Sequence, residues 1–260
     1  MKIVVLIKDV PDTYGDRHLD IETGLAARDR SERVLDEIGE RSLELALTLV
    51  EANPDTEIVA LSVGPDSAAD SLRKALAIGA HRAVHVVDEG MHGADIVMTA
   101  EVIAAALRRI GFDLVIAGNL STDGSAGVIA AAVAELLEVP QLAALSSVEL
   151  ADSVVRGSRA ADEGTVTVMA QLPAVVSVTE ALPDARLPNF KGIMAAKKKP
   201  LETLSLDELG IIADAPDVPR SILVSVAVRP PRAAGVKIVD DGTAAERLAD
   251  FLVENGLVQA

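Results

Sequence analysis

The chain contains no cysteine and no tryptophan. Without thiols, disulfides, thiolate catalysis, CxxC redox motifs and cysteine zinc sites are excluded. Aromatic residues are nearly absent, with one Tyr and three Phe in 260 residues. The core must therefore be aliphatic, and a base-stacking platform for single strands lacks its rings. Basic residues are in deficit: 24 Lys and Arg stand against 40 Asp and Glu, for a net charge of −16. That balance argues against a general nucleic-acid binder, which carries a basic surface. Long hydrophobic runs are missing too. The longest, residues 126–134, stops at Glu135 and is about half of the ~20 residues a membrane span needs. The opening Met1-Lys2-Ile3-Val4-Val5 leads into a strand pattern without a signal peptide's apolar stretch or cleavage site. A cytoplasmic location is therefore expected.

What is present is an ordinary globular composition, 50% hydrophobic and 25% charged. The length suits one large domain or one and a half ordinary ones. Residues 3–7 (IVVLI) form a continuous β-branched and aliphatic run, as in a strand covered on both faces. Residues 35–50 carry a helical apolar stripe. Residues 57–63 read as a strand stopped by Gly64-Pro65, 67–78 as a helix, 83–87 as a strand and 93–109 as an Ala-rich helix. A strand over 114–117 ends at Gly118, and 126–137 reads as another Ala-rich helix. Repeated βα units of this spacing predict a three-layer α/β fold of nucleotide-binding type, with a mainly parallel sheet and helices on both faces.

The pattern then changes. Residues 147–150, 153–157, 165–169 and 174–178 are short strand-like runs, with a hairpin turn at Asp162-Glu163-Gly164. They predict a small antiparallel extension on the edge of the main sheet. Residues 180–214 hold no long helix or strand, and 221–228 reads as a late strand. Arg229-Pro230-Pro231-Arg232 reads as a linker and 243–255 as a terminal helix with a thin stripe of Leu248, Phe251 and Leu252. The expected organisation is a nucleotide-binding domain over 1–212 and a C-terminal arm over 213–260.

Three segments carry chemistry. The loop Gly118-Asn119-Leu120-Ser121-Thr122-Asp123-Gly124-Ser125-Ala126-Gly127 joins a strand to a helix. Glycines let backbone approach a ligand, and a helix N-terminus offers amides to an anion. The loop lies at the carboxyl end of a strand, where open α/β sheets bind ligands. A bare βα turn fits it equally well, and neither GxxxxGK[ST] nor GxGxxG is matched. Ser62-Val63-Gly64-Pro65 and residues 6–9 end two other strands and could wall the same crevice. The third segment is Leu187-Pro188-Asn189-Phe190-Lys191-Gly192-Ile193-Met194-Ala195-Ala196-Lys197-Lys198-Lys199-Pro200. It sets one of four aromatics in a basic stretch that reads as a surface loop. An exposed Phe190 would suit a partner's pocket, whereas a solvated charge run beside a packed Phe is the bland reading. His18, His81, His85 and His92 show no triad spacing, and metal ligation through His81 and His85 is not expected. No nucleophile stands beside a base. A ligand crevice without its own chemistry implies a bound cofactor or a partner subunit.

These residues resemble the β subunit of electron transfer flavoprotein, from residue 1 to about 212. The most specific piece is Gly192-Ile193-Met194-Ala195-Ala196-Lys197-Lys198-Lys199-Pro200. The opening Val4-Val5-Leu6-Ile7-Lys8-Asp9-Val10-Pro11-Asp12, the Ser62-Val63-Gly64-Pro65 turn, the stretch 75–83 (ALAIGAHRA) and Leu172-Pro173-Ala174-Val175-Val176 follow in family order. The resemblance implies a heterodimer with an α subunit that holds most of the FAD. It implies AMP buried in this chain and no catalytic side chain. Acyl-CoA and related dehydrogenases would be donors, and a membrane quinone oxidoreductase the acceptor. In bifurcating relatives a second FAD takes the AMP place.

The family's AMP site maps onto Leu6, Asp36, Gly39, Val63, Asn119, Ser121, Thr122, Asp123, Gly124, Ser125 and Gly127. The loop is shorter than the common family form, which with the scarcity of aromatics favours AMP over FAD. Thr13, Tyr14 and Ile38 map to the flavin side. Pro188, Phe190, Lys191, Ile193 and Met194 map to the donor-docking segment, with Phe190 as anchor. Where many members carry a Glu that latches the flavin domain, this chain has Ala160, leaving Asp162 or Glu163 to supply the charge. A stand-alone nucleotide-binding regulatory module of the same fold would explain the 118–127 loop but not the 190–199 segment.

Overall fold

A computed structural model describes residues 1–215, 220–232 and 234–258. The chain divides into two units, Met1–Ser225 and Val226–Ala260. The first is built on β1 (Lys2–Leu6), β4 (Glu57–Val63), β5 (Arg82–Val86), β6 (Leu114–Gly118), β7 (Gln141–Leu145), β11 (Ala174–Val178) and β12 (Leu201–Leu204). They form one seven-stranded sheet in the order β12-β5-β4-β1-β6-β11-β7, and every pairing in it is parallel.

Side chains alternate across a strand, and the core divides accordingly. Ile3, Val5, Ile58 and Ala60 face one cluster with α1 (Glu37–Ala52) and α2 (Ala68–Ile78). Val4, Val59 and Leu61 face the other, with α3 (Ile96–Ile110) and α4 (Ile129–Leu137). This is the expected three-layer α/β architecture. The large fully buried side chains are all Leu or Ile, so the core is aliphatic as the composition requires.

β8 (Ser147–Ala151), β9 (Val154–Ala161) and β10 (Gly164–Gln171) form a separate antiparallel sheet, turned at Asp162-Glu163 as expected. Residues 174–178 do not belong to it, contrary to expectation. They are β11, buried throughout between β6 and β7. A run buried on both faces satisfies either sheet, and its register with Leu114 and Val115 is invisible locally. The described residues of 221–228 form no strand, and Ile222 and Val224 are exposed, so no sheet or core gives the apolar run a reason to extend. β7 and β12 are strands that periodicity did not reveal. The fourth helix starts at Ile129, three residues late, because Gly127 takes a left-handed φ of +68°. A short antiparallel pair, β2 (Asp9–Pro11) with β3 (Arg33–Leu35), brackets the connection 12–32. The second unit holds α6 (Ala244–Glu254), with Leu248 and Phe251 exposed.

Candidate functional site

The carboxyl ends of β1, β4 and β6 are neighbours, and they bring Leu6, Val63 and the loop 119–127 to one edge of the sheet. Gly118 ends β6 with the Ile38 side chain pressed against it; a Cβ there would clash. Ile38 therefore packs on the end of β6, and Thr13 and Tyr14 lie on the connection 12–32. A Cβ added at Gly39 would press on the Leu35 side chain at 3.3 Å and meet the Leu6 carbonyl at 3.9 Å.

Asp36 stands at the N-cap position of α1 but its side chain makes no capping bond to that helix. Its carboxylate accepts the Thr122 amide at 3.0 Å, joining α1 to the loop. Asp36 is almost wholly buried, and its other oxygen has no partner. Burial pushes its pKa above the ordinary carboxylate value, against the opposing bond from the Thr122 amide. The Thr122 hydroxyl is likewise buried and unpartnered. Unmade hydrogen bonds of this kind are costly, and both atoms lie where α1 meets the loop.

Asp123 is the opposite case. Its side chain is 10% exposed, yet Lys8 Nζ meets one oxygen and Arg28 the other, each at 2.7 Å. Burial opposes its ionisation, but Lys8, Ser121 and Arg28 hold it well below the usual carboxylate range. Lys8 also donates to Ser121 Oγ at 3.1 Å, and Arg17 donates to the Thr122 carbonyl at 2.5 Å. Asn119 donates its amide to the Val178 carbonyl, and its side chain accepts the Leu120 amide. Ser125 folds back on the Ser121 carbonyl with φ +51°. Val128 leaves the start of α4 without a side-chain cap.

The 187–200 segment is a mount rather than a loop. Phe190 opens a short helix, α5 (Phe190–Ala196), which the sequence reading missed. Asn189 caps it, accepting the Gly192 amide at 2.8 Å; an Asn before an apolar stretch was the available signal. Gly192 is required by packing, since a Cβ there would strike the Ala77 carbonyl of α2. Lys199 is not a free surface charge: it donates to the Leu76 and Ala80 carbonyls at 2.9 and 2.7 Å, capping the end of α2. Arg73 donates to the Ala196 and Lys199 carbonyls. Upstream, Arg186 grips Glu44 and Glu51 of α1. Between these anchorages Phe190 is 78% exposed and Leu187 90% exposed, with Ile193 and Met194 about half exposed. A groove of about 550 Å³ between α2 and α5 is lined by Ala77, Pro188, Ile193 and Ala196 together with Arg73, Lys74 and Lys197.

The histidines have structural work. His81 Nδ1 accepts the Ile58 amide at 2.8 Å, and His85 Nε2 lies 3.1 Å from the Gly64 carbonyl. Among the described residues no group of three His, Asp or Glu is gathered as for a metal ion, and no helix is long and apolar enough to cross a membrane.

The model of the electron transfer flavoprotein domain matches residues 23–209. The chain belongs to the electron transfer flavoprotein family. The β subunit from Mycobacterium leprae (strain TN) is 43% identical, across 98% of this chain and 99% of that one. The β subunit from Mycobacterium tuberculosis (strain ATCC 25618 / H37Rv) is 41% identical at the same coverage. Subunit CarD of the caffeyl-CoA reductase-Etf complex from Acetobacterium woodii is 29% identical over 97% of both chains. Within the family the chain is thus of β-subunit type, a component of electron transfer.

For a family β subunit, the sequence-derived residues fall into two places. Leu6, Asp36, Gly39, Val63 and the 119–127 loop lie at the carboxyl ends of the strands, while Phe190, Lys191, Ile193 and Met194 are on α5 and Pro188 just precedes it. Sequence reasoning missed Lys8, Arg17 and Arg28 as partners of the loop. They are separated from it by about a hundred residues, and no short-range spacing reveals such a pairing.

Proposed function

We propose that this chain pairs with an α subunit that holds most of the FAD, binds AMP as a structural ligand, and docks the electron donor through α5. The donors on this reading are acyl-CoA and related dehydrogenases, and electrons pass on towards a membrane quinone oxidoreductase. The observation that carries the docking part is the exposed Leu187 and Phe190 on a segment fixed at both ends. Rigid, exposed aromatic anchors are the residues that dominate protein interfaces. A small anchor also suits brief encounters, since affinity among related complexes is set mostly by dissociation.

The residues present fit AMP. Asp36 accepts only, so its free oxygen suits a ribose hydroxyl or an exocyclic amine. The Thr122 hydroxyl can donate or accept. Lys8, Arg28 and the uncapped start of α4 offer positive potential to a phosphate. FAD, when bound, supplies the redox chemistry. This chain's residues orient the loop, exclude water from Asp36 and present the anchor. A second reading places FAD where AMP would sit, as in bifurcating relatives; likeness to a subunit of the caffeyl-CoA reductase-Etf complex favours testing it. Family membership and the exposed α5 speak against a stand-alone regulatory module.

The experiment is to purify the chain with its α subunit, denature the complex and quantify released nucleotides. One FAD and one AMP per dimer is the expected result. Two FAD and no AMP would replace the first reading with the second, and a colourless, self-associated chain would sink both.

A further inference from the structure

The loop 121–124 is held by three cations from one early stretch of the chain. Lys8 follows β1, while Arg17 and Arg28 belong to the connection 12–32. Arg28 also donates to the Asp9 carbonyl at 3.3 Å, so it ties β2 to the loop. The same connection carries Thr13 and Tyr14, and Tyr14 is 96% exposed. Inside the connection, backbone bonds join Ala27 to His18 and Asp20 to Leu25, and the Ser31 hydroxyl donates to the Asp16 carbonyl. Its charged tie to the loop 121–124 is Asp123, a carboxylate nine-tenths buried and gripped on both oxygens.

We propose that Asp123 is a positioning residue that couples the nucleotide loop to the flavin-side edge of the subunit, by fixing through Arg28 the connection that bears Thr13 and Tyr14, with Lys8 holding its other oxygen. The coupling rests on the reading of Thr13 and Tyr14 as flavin-side residues. Charge is essential to it. A neutral amide of the same shape would keep the loop's packing but offers one acceptor oxygen and no charge, so one of the two bonds is lost and the other weakened. The two ends of the tie are of different kinds. Asp123 is enclosed and has no freedom to follow its partners, whereas Lys8 and Arg28 are partly exposed and each keeps unused donors. Displacement at the loop is thus transmitted to the connection, not absorbed by the carboxylate.

The test uses the purified heterodimer with its flavin. Asp123→Asn, Asp123→Glu and Arg28→Ala are compared with the parent by amide hydrogen exchange and by the flavin reduction potential. Loss of the tie is expected to speed exchange in residues 12–32 about tenfold in Asp123→Asn and in Arg28→Ala. The flavin potential should shift in both, and Asp123→Glu should restore both readings. Arg28 is partly exposed, so its variant keeps the test open if Asp123→Asn does not assemble. Unchanged exchange over 12–32 overturns the proposal, and so does faster exchange with an unmoved potential. AMP content, measured on the parent in parallel, judges the nucleotide reading by itself: a parent without AMP would remove that reading and leave this comparison intact.

Discussion

The loop 119–127 and the segment 187–194 reverse the usual distribution of side chains in opposite ways. Around residues 119–127 charge is buried: Asp36 and Asp123 lie inside, and two polar atoms lack partners. Around 187–194 apolar surface is exposed: Leu187, Phe190, Ile193 and Met194 stand in solvent in a chain of 2% aromatics. Each reversal carries a cost that a purely structural segment would not keep. Both are secured by ordinary means, ion pairs and caps from neighbouring helices. At the first place polar groups are enclosed without partners, and at the second apolar groups are held out in solvent.

The comparison is broken most sharply at Phe190. Phe190→Ala is expected to lower the efficiency of donor-to-flavin transfer by on the order of 30-fold, an interface hot spot of about 2 kcal/mol. Stopped-flow reduction against an acyl-CoA dehydrogenase reads this directly. Thermal stability and nucleotide content should stay put, and unchanged transfer would defeat the anchor. Gly192→Ala attacks the mount instead. Forcing a Cβ against the Ala77 carbonyl should cost about 1–2 kcal/mol in urea unfolding, with transfer falling because α5 is displaced. Full stability in that variant would show that the close packing is dispensable.

The smallest effect is a pH dependence that separates the two buried acids. Asp36 has a raised pKa, so the folded state holds its proton more tightly than the unfolded chain. Its contribution to stability therefore falls as pH rises through and above the ordinary carboxylate range. Asp123 has a lowered pKa; its contribution is present above that range and is lost only in acid. Asp36→Asn keeps an acceptor for the Thr122 amide while removing the charge. Relative to the parent, it should look better at pH 7 than at pH 4 in urea titrations, and a difference independent of pH would rule out a buried ionised Asp36.

Much of this was legible in the sequence, for identifiable reasons. Residues 57–63 are strand β4 with both ends as read, because a β-branched run stopped by Gly64-Pro65 leaves no alternative. The strand QLAAL of β7 was not legible: an edge strand buried at only two positions need not display a β-branched run. The four-residue β12 is too short for periodicity to act on. Phe190 was correctly suspected of exposure from its Pro and Lys neighbours, yet the seven-residue helix it opens contains Gly192 and has no stripe. Asp36 stands at the start of α1 and bonds the loop eighty-six residues away, a pairing no local pattern displays. Local chemistry specifies where chains turn and extend; which distant group meets which depends on the closed sheet.

One further consequence concerns the antiparallel sheet. β7 and β11 are parallel neighbours, so the chain leaves β7 at the carboxyl ends of the strands and must re-enter β11 at their amino ends. Such a return ordinarily takes a helix. Here β8, β9 and β10 make it by passing back and forth, and only an odd number of passes arrives at the correct end. The tolerance of this region to shortening is therefore a matter of parity. Removing the β9–β10 hairpin as a pair leaves one pass and an intact route, whereas removing a single strand would deliver β11 to the sheet upside down.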